Sequence, residues 1–94
     1  MKIEWSPWAV ADRGAIFDYI EAENPYAAIA VDERIEAQIS QLVSFPESGR
    51  PGRIEGTREL VINRTPYLAA YRINDGVVTI LRILHSAQRW PDEA

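Results

Sequence analysis

The chain contains two closely spaced helix-start signals, Ser6-Pro7 and Asn24-Pro25. In each, a side chain that accepts hydrogen bonds from the first turn of a helix precedes a proline, whose missing N–H is not needed there. Apolar residues then recur every three to four positions, up to about Glu23 in the first case and about Phe45 in the second. Because the connection between the two helices is so short, the pattern predicts an antiparallel helical hairpin.

Each predicted helix has one apolar face, which we expect to pack on the rest of the core. For the first helix this face comprises Val10, Arg13, Ile16, Phe17 and Ile20. For the second helix it comprises Ala28, Val31, Ile35, Ile39, Leu42 and Phe45. A hairpin that is apolar on one side needs a second layer to cover it, so we expect a sheet in the rest of the chain.

The remaining segments supply strands and one loop. Lys2–Trp5 alternates polar and apolar residues, which predicts a short strand before the hairpin. Residues 46–56, PESGRPGRIEG, are rich in proline and glycine and are expected to form a loop. Beyond this loop a period of two predicts strands at Thr57–Asn63 and Tyr67–Asn74.

The last predicted strand, Val77–Leu84, follows a tight hairpin turn at Asn74-Asp75-Gly76. Its sequence, VVTILRIL, is apolar on both faces apart from Thr79 and Arg82, which predicts an interior strand covered on both sides. Residues 1–94 are therefore expected to form a single α+β domain of order β-α-α-β-β-β. In it, an antiparallel helical hairpin packs on one face of an antiparallel four-stranded sheet, with the first strand at an edge.

The composition limits which metal or disulfide sites the chain can form and where in the cell we expect it. The chain has no cysteine, so it can form neither a disulfide framework nor a thiolate metal site, and we expect no metal and no cofactor. No segment approaches the roughly 20 apolar residues of a membrane span, and the N-terminus lacks the apolar run of a signal peptide. We therefore expect a cytoplasmic protein without a membrane partner.

Charge is distributed unevenly along the chain. Residues 1–47 carry three basic and nine acidic side chains, a net charge of −6, whereas residues 48–91 carry seven arginines and three acids, a net charge of +4. One interpretation is that the two halves attract each other within the fold. The other is that the arginines form a basic face for an acidic partner or a nucleic acid.

The order of elements and several motifs resemble the RelE/ParE superfamily of bacterial toxins from toxin–antitoxin modules, most closely its ParE branch. The resemblance covers nearly the whole chain, and its specific part is the C-terminal half, with GRPG, TRELV, YRI and the strand end RILHSAQRW. It implies a toxin held inactive by a co-encoded ParD-like antitoxin in a hetero-oligomer. Such antitoxins combine a DNA-binding N-terminal part, commonly ribbon-helix-helix, with an acidic, amphipathic C-terminal segment that wraps the toxin.

The superfamily contains two functional classes, and Leu68 bears on the choice between them. Its ribosome-dependent members cut messenger RNA with basic side chains on the sheet and typically have an arginine at the position of Leu68, whereas ParE members inhibit DNA gyrase. A metal-free nuclease needs several converging acid–base groups, yet Lys2 is the only lysine in this chain. The resemblance thus favours a gyrase inhibitor that acts by binding, without sequence-specific contacts to nucleic acid.

Two alternatives remain open beside the gyrase inhibitor. One is a RelE-like ribosome-dependent endoribonuclease that uses Arg72, Arg82 and His85. The other is an inert adaptor that has lost toxicity and kept the surface for its antitoxin.

The candidate contact residues for antitoxin or target are Arg58, Leu68, Arg72, Arg82, His85, Arg89 and Trp90. We expect the antitoxin to cover the sheet face opposite the helices, with its carboxylates on Arg58, Arg72 and Arg82. An acid of the same chain is an equally good partner for Arg82, because a guanidinium in an apolar strand must be paired. His85 is expected to be a hydrogen-bonded structural histidine rather than a general acid. Trp90 either folds back over the sheet or stays exposed as a binding hot spot.

Overall fold

The computed structural model describes residues 1–91, and the predicted helical hairpin is present in it. Helix α1 spans Pro7–Glu21 and helix α2 spans Pro25–Ser40, and a single 3₁₀ turn follows at Gln41–Val43. Both predicted caps form: the Ser6 and Asn24 side chains accept hydrogen bonds from the third residue of their helix, at 3.0 and 3.1 Å. Within residues 1–91 neither helix is long and apolar enough to cross a membrane.

Among the described residues, five strands form one sheet beneath the hairpin. They are β1 (Lys2–Trp5), β2 (Arg50–Pro51), β3 (Arg58–Val61), β4 (Tyr67–Asn74) and β5 (Val77–His85). The order across the sheet is β1-β5-β4-β3-β2, with β1 parallel to β5 and the other neighbours antiparallel. The α+β class, the interior position of β5 and the edge position of β1 are confirmed. The expected sheet of four antiparallel strands is wrong in two details, the number of strands and the direction of β1.

The fifth strand, β2, lies inside the segment that we predicted to be a loop. Two residues, one of them a proline, produce no periodicity that a sequence reading can detect. They become a strand because Arg50 and Pro51 pair with Glu59 and Arg58 of β3. Proline is tolerated there because β2 is an edge strand.

The predicted hairpin turn between β4 and β5 is confirmed in its backbone geometry. Asp75 and Gly76 have φ angles of 50° and 77°, as a two-residue turn matched to the twist of the strands requires. Further along, β5 contains one extra residue, Leu81, where the pairing shifts from Tyr71–Ile80 to Ala70–Arg82. Such a bulge re-aims the side chains beside it, and Arg82 is the next residue.

The main core lies between the hairpin and one face of the sheet. Its buried members include Ala9, Ile35, Ile39 and Leu42 from the helical segment and Tyr67, Ala69, Tyr71, Val78, Ile80 and Ile83 from the sheet. Two predicted core residues, Val10 and Phe45, are 57% and 66% exposed, so those predictions are wrong. On α1 the small Ala9 is buried in place of Val10, while Ile16 and Ile20 pack against the core as predicted. Phe45 follows the 3₁₀ turn, after the end of α2.

Arg13, at a predicted core position of α1, joins the two helices. Its guanidinium donates to both carboxylate oxygens of Asp32, at 2.7 and 3.0 Å, and to Glu36 at 2.8 Å, all on α2. It also lies 5.1 Å from the ring centroid of Trp5. The hydrogen bond to Asp32 raises the pKa of Arg13. Arg13 therefore links the two helices through ion pairs.

Candidate functional site

The sheet has a second face, opposite the helices, which we call the open face. Residues that pair directly across neighbouring strands point to the same side of a sheet. One such row consists of Arg50, Glu59, Ala70 and Arg82, and Leu68 pairs with Leu84 in another row. Arg72, paired with Thr79, belongs to the same face. The structure therefore brings Leu68, Arg72 and Arg82 together on this face, as expected.

The centre of the open face is covered by the C-terminal tail. Trp90 packs on Leu68, Ala70 and Leu84, none of which is more than 1% exposed. Of the two placements predicted for Trp90, folding back over the sheet is the one observed. Its indole N–H is buried and has no hydrogen-bond partner among residues 1–91. A partner can contact Leu68 only if Trp90 moves away.

Arg82 is paired with an acid of its own chain. Its Nε and Nη2 donate to the two carboxylate oxygens of Asp12 at 2.7 and 3.0 Å. The side chains of Arg82 and Asp12 are only 24% and 18% exposed. The guanidinium also lies 5.7 Å from the ring centroid of Trp90. Arg82 is therefore locked by a fork-to-fork ion pair, the geometry that gives this kind of pair its strength.

Asp12 reaches Arg82 because β1 is shorter than β5. The pairing of β1 ends at Trp5 and Ile80, and β5 continues to His85 without a strand on that side. The start of α1 satisfies the exposed backbone instead: the Ser6 hydroxyl donates to the carbonyl of Leu81, at 2.8 Å. Asp12 accepts a hydrogen bond from the N–H of Ile83, at 3.0 Å. Sequence reasoning missed Asp12, since no local pattern links residues 70 positions apart.

His85 is exposed at the end of β5 and makes structural contacts. Its Nδ1 accepts a hydrogen bond from the N–H of Ala87 at 3.1 Å, and its ring meets Tyr67 edge to face at 5.7 Å. The backbone N–H of His85 donates to Gln88 Oε1 at 3.3 Å. With Nδ1 acting as an acceptor, the proton of the neutral ring lies on Nε2. These contacts fit the predicted role of a hydrogen-bonded histidine.

Arg58 lies apart from the other candidates, because its strand partner Tyr71 belongs to the helix-covered face. Its Nη1 donates to the carbonyls of Glu47 and Gly49, at 3.2 and 2.8 Å. Its Nη2 is 3.6 Å from the carboxylate of Glu47, whose side chain is 79% exposed. Arg58, Arg72 and Arg82 therefore do not form a single cluster.

The last two candidates, Arg72 and Arg89, are both exposed to solvent. No ion pair to Arg72 forms within the part of the chain that the structure describes. Arg89 lines a shallow cavity of about 340 Å³ together with Arg53, Trp90 and Pro91. Both arginines present charge toward the side of the molecule on which the tail lies.

Two buried polar residues that sequence reasoning missed fix the segment before β3. Glu59, only 2% exposed, accepts hydrogen bonds from Arg50 Nη2 at 3.2 Å and from the N–H of Arg53 at 3.1 Å. The Tyr71 hydroxyl donates to the carbonyl of Pro46 at 2.7 Å and accepts from the N–H of Gly49 at 2.9 Å. Burial raises the pKa of Tyr71. The one available signal was an acid, Glu59, directly before the apolar run Leu60–Ile62 of a predicted strand.

The ion pairs show which carboxylates compensate the arginines of the basic half of the chain. Arg58 and Arg82 pair with Glu47 and Asp12 of the acidic half, while Arg50 and Arg53 pair with Glu59 of their own half. At least four of the seven arginines between residues 48 and 91 therefore have a carboxylate of the same chain beside them. Attraction between the two halves accounts for two of these arginines, Arg58 and Arg82, and pairing within the basic half accounts for the other two. A basic face for an acidic partner stays a prediction.

Comparisons with known proteins agree with the fold. The family model described as ParE toxin of type II toxin-antitoxin system, parDE, matches residues 3–90. Putative toxin Y4kP of Sinorhizobium fredii is 43% identical over 90 residues, which cover 96% of this chain and 93% of that protein. Toxin RelE2 of Caulobacter vibrioides is 38% identical over 87 residues, which cover 93% of this chain and 97% of that protein.

A solved structure also resembles this chain in fold and sequence. A chain of the chromosomal ParDE TA system from P. aeruginosa superposes with a TM-score of 0.83 at 32% sequence identity, covering 90% of this chain and 95% of that one. The family model and the structural match therefore point to the same family, and both relatives are named as toxins. The chain belongs to the ParE toxin family of type II toxin–antitoxin systems.

Proposed function

We propose that this toxin inhibits DNA gyrase by binding to it, without turnover, and that a ParD-like antitoxin neutralises it. The observation that carries the proposal is the state of the open face at Leu68. Where nuclease members of the superfamily typically have an arginine, this chain has a leucine that is 1% exposed beneath Trp90. The side chain at that position can neither contact a phosphate nor stabilise its charge.

The other basic groups of the open face do not replace the missing arginine. Cleavage of RNA without a metal requires one group to activate the 2′-hydroxyl, another to protonate the leaving oxygen and cations to stabilise the phosphorane. Arg82 is neutralised by Asp12, and the Nδ1 of His85 is occupied by the N–H of Ala87. These contacts support a toxin that acts by occupying a surface of its target.

Membership of the family implies an antitoxin partner. We propose that its acidic C-terminal segment lies along the toxin and that Arg72 and Arg89, both exposed, contact its carboxylates. Exposed guanidinium groups of this kind speed up encounter and fix orientation more than they add affinity. The rest of the affinity comes from apolar anchors on the same segment.

The test combines two assays on the same purified toxin. We expect supercoiling by gyrase to stop at a stoichiometric toxin concentration and to recover when antitoxin is added, while messenger RNA on programmed ribosomes stays intact. Codon-positioned cuts that disappear in Arg82→Ala and His85→Ala would show a ribosome-dependent endoribonuclease instead. Full supercoiling together with intact messenger RNA would show an inert adaptor.

A further inference from the structure

A cavity of about 460 Å³ opens beside Arg58, at some distance from the open face. Its apolar lining comes from Met1, Pro46, Pro51 and Ile73. The volume is in the range of cavities that hold ligands, and mainly apolar walls with a few polar groups are typical of such sites. We call it the Arg58 cavity.

The guanidinium of Arg58 is oriented by backbone carbonyls, but its charge is only weakly compensated. Nη1 donates to two backbone carbonyls, those of Glu47 and Gly49, at 3.2 and 2.8 Å, which fix the direction of the side chain. The countercharge is the Glu47 carboxylate, 3.6 Å from Nη2 and on a side chain that is 79% exposed. An ion pair this long and this exposed contributes little free energy.

Arg82 on β5, in contrast, has a countercharge that is held firmly in place. Arg82 meets Asp12 through two bonds of 2.7 and 3.0 Å, and the Asp12 side chain is only 18% exposed. The Glu47 carboxylate makes a single contact with Arg58 within residues 1–91, at 3.6 Å, while the backbone carbonyl of Glu47 helps to orient the guanidinium. A stronger carboxylate ligand can therefore replace Glu47 without breaking the bonds that orient Arg58.

We propose that the Arg58 cavity receives an apolar side chain of the antitoxin together with a neighbouring carboxylate, which displaces Glu47 from Arg58. This inference rests on the antitoxin partnership in the proposed function. The choice of occupant follows from charge complementarity: an oriented guanidinium at the rim of an apolar cavity selects a segment that carries an acid next to an apolar residue. Glu47 then acts as an internal competitor that weakens binding in the free toxin.

The experiment is a calorimetric titration of the full toxin with the antitoxin encoded beside its gene. Glu47→Gln removes the competitor and keeps the size of the side chain, so we expect it to tighten binding about three- to fivefold. Arg58→Lys keeps the charge but loses the two-pronged geometry, so we expect affinity to fall about tenfold or more. Glu55→Gln and Arg64→Lys, both exposed and outside the cavity, are the matched controls and should stay within about twofold.

Thermal unfolding of each variant separates loss of binding from loss of fold. Because Glu47 is exposed, Glu47→Gln keeps the test decisive even if Arg58→Lys does not fold. Affinity that is unchanged or weaker in Glu47→Gln, or a folded Arg58→Lys that binds like the wild type, would overturn the proposal. Altered gyrase inhibition with unaltered antitoxin affinity would also overturn it, since the cavity would then serve the target. A wild-type toxin that fails to bind the antitoxin would overturn the antitoxin partnership itself.

Discussion

Arg58 on β3 and Arg82 on β5 are the same residue type in the same sheet, yet their surroundings differ. Arg82 is held by a carboxylate that is itself only 18% exposed and that also accepts a hydrogen bond from the strand backbone. Arg58 is held by backbone carbonyls and faces a carboxylate that extends into solvent. From this contrast we expect the exposure of the countercharge, rather than the strand position of the arginine, to determine which guanidinium a partner can use.

The two arginines therefore have different consequences when their environments are disturbed. Removing the partner of Arg82 leaves a charge with little access to water, so the fold loses stability. Removing the partner of Arg58 leaves a charge that water and a binding partner can both reach. The loss of stability at Arg82 should therefore be the larger effect.

Asp12→Asn removes the countercharge of Arg82 and tests whether that ion pair stabilises the fold. We expect it to lower the free energy of unfolding by about 3 kcal/mol, because it removes the countercharge of a largely buried guanidinium and weakens the bond to the N–H of Ile83. Urea unfolding followed by circular dichroism measures the loss. Glu4→Gln is the control, since it removes an exposed pair with Lys2 at 3.7 Å and should cost under about 1 kcal/mol. Equal losses in the two variants would contradict the locked role of Arg82.

Tyr71→Phe tests the backbone that orients Arg58. We expect a loss of about 2 kcal/mol, since the buried N–H of Gly49 and the carbonyl of Pro46 both lose the hydroxyl. The same unfolding measurement applies, with Tyr26→Phe as the control, because Tyr26 is 85% exposed. A Tyr71→Phe variant as stable as the control would mean that the hydroxyl does not fix this segment.

Alkaline pH should lower the free energy of unfolding through Tyr71, by less than the substitutions above. Burial raises the pKa of Tyr71, so the folded chain holds this proton more tightly than the unfolded chain does. The resulting stability is fully present below the unfolded pKa of about 10 and is lost as pH rises through the folded value. Unfolding free energies measured across that range should therefore fall in the wild type and fall less steeply in Tyr71→Phe. Parallel curves would exclude Tyr71 as a source of this dependence.

The fold could be predicted well because its signals are local. The caps at Ser6 and Asn24 and the turn at Asp75-Gly76 each occupy a few adjacent residues. The short strand β2 could not be predicted, since it forms only where side chains from β3 and β4 hold the backbone on either side of it, at Gly49 and Arg53.

The candidate site was harder to predict than the fold. Sequence reasoning selected Arg82 and required it to be paired, but identifying Asp12 as its partner depends on where β1 ends relative to β5. It also placed Arg58 with Arg72 and Arg82, whereas the strand register sends Arg58 to the other face. Contacts between residues far apart in sequence thus determine which candidate arginines are accessible.

The most direct test of the contrast between the two arginines is to follow their Nε–H signals by NMR while the antitoxin is added to labelled toxin. In the free toxin, the Nε–H of Arg82 should exchange slowly with water, because it donates to Asp12 at 2.7 Å. On binding, we predict that the Arg58 signal shifts and becomes protected, while the Arg82 signal keeps its position. A shift of the Arg82 signal with an unchanged Arg58 signal would contradict the account, because the antitoxin would then take Arg82 from Asp12 and leave the Arg58 cavity empty.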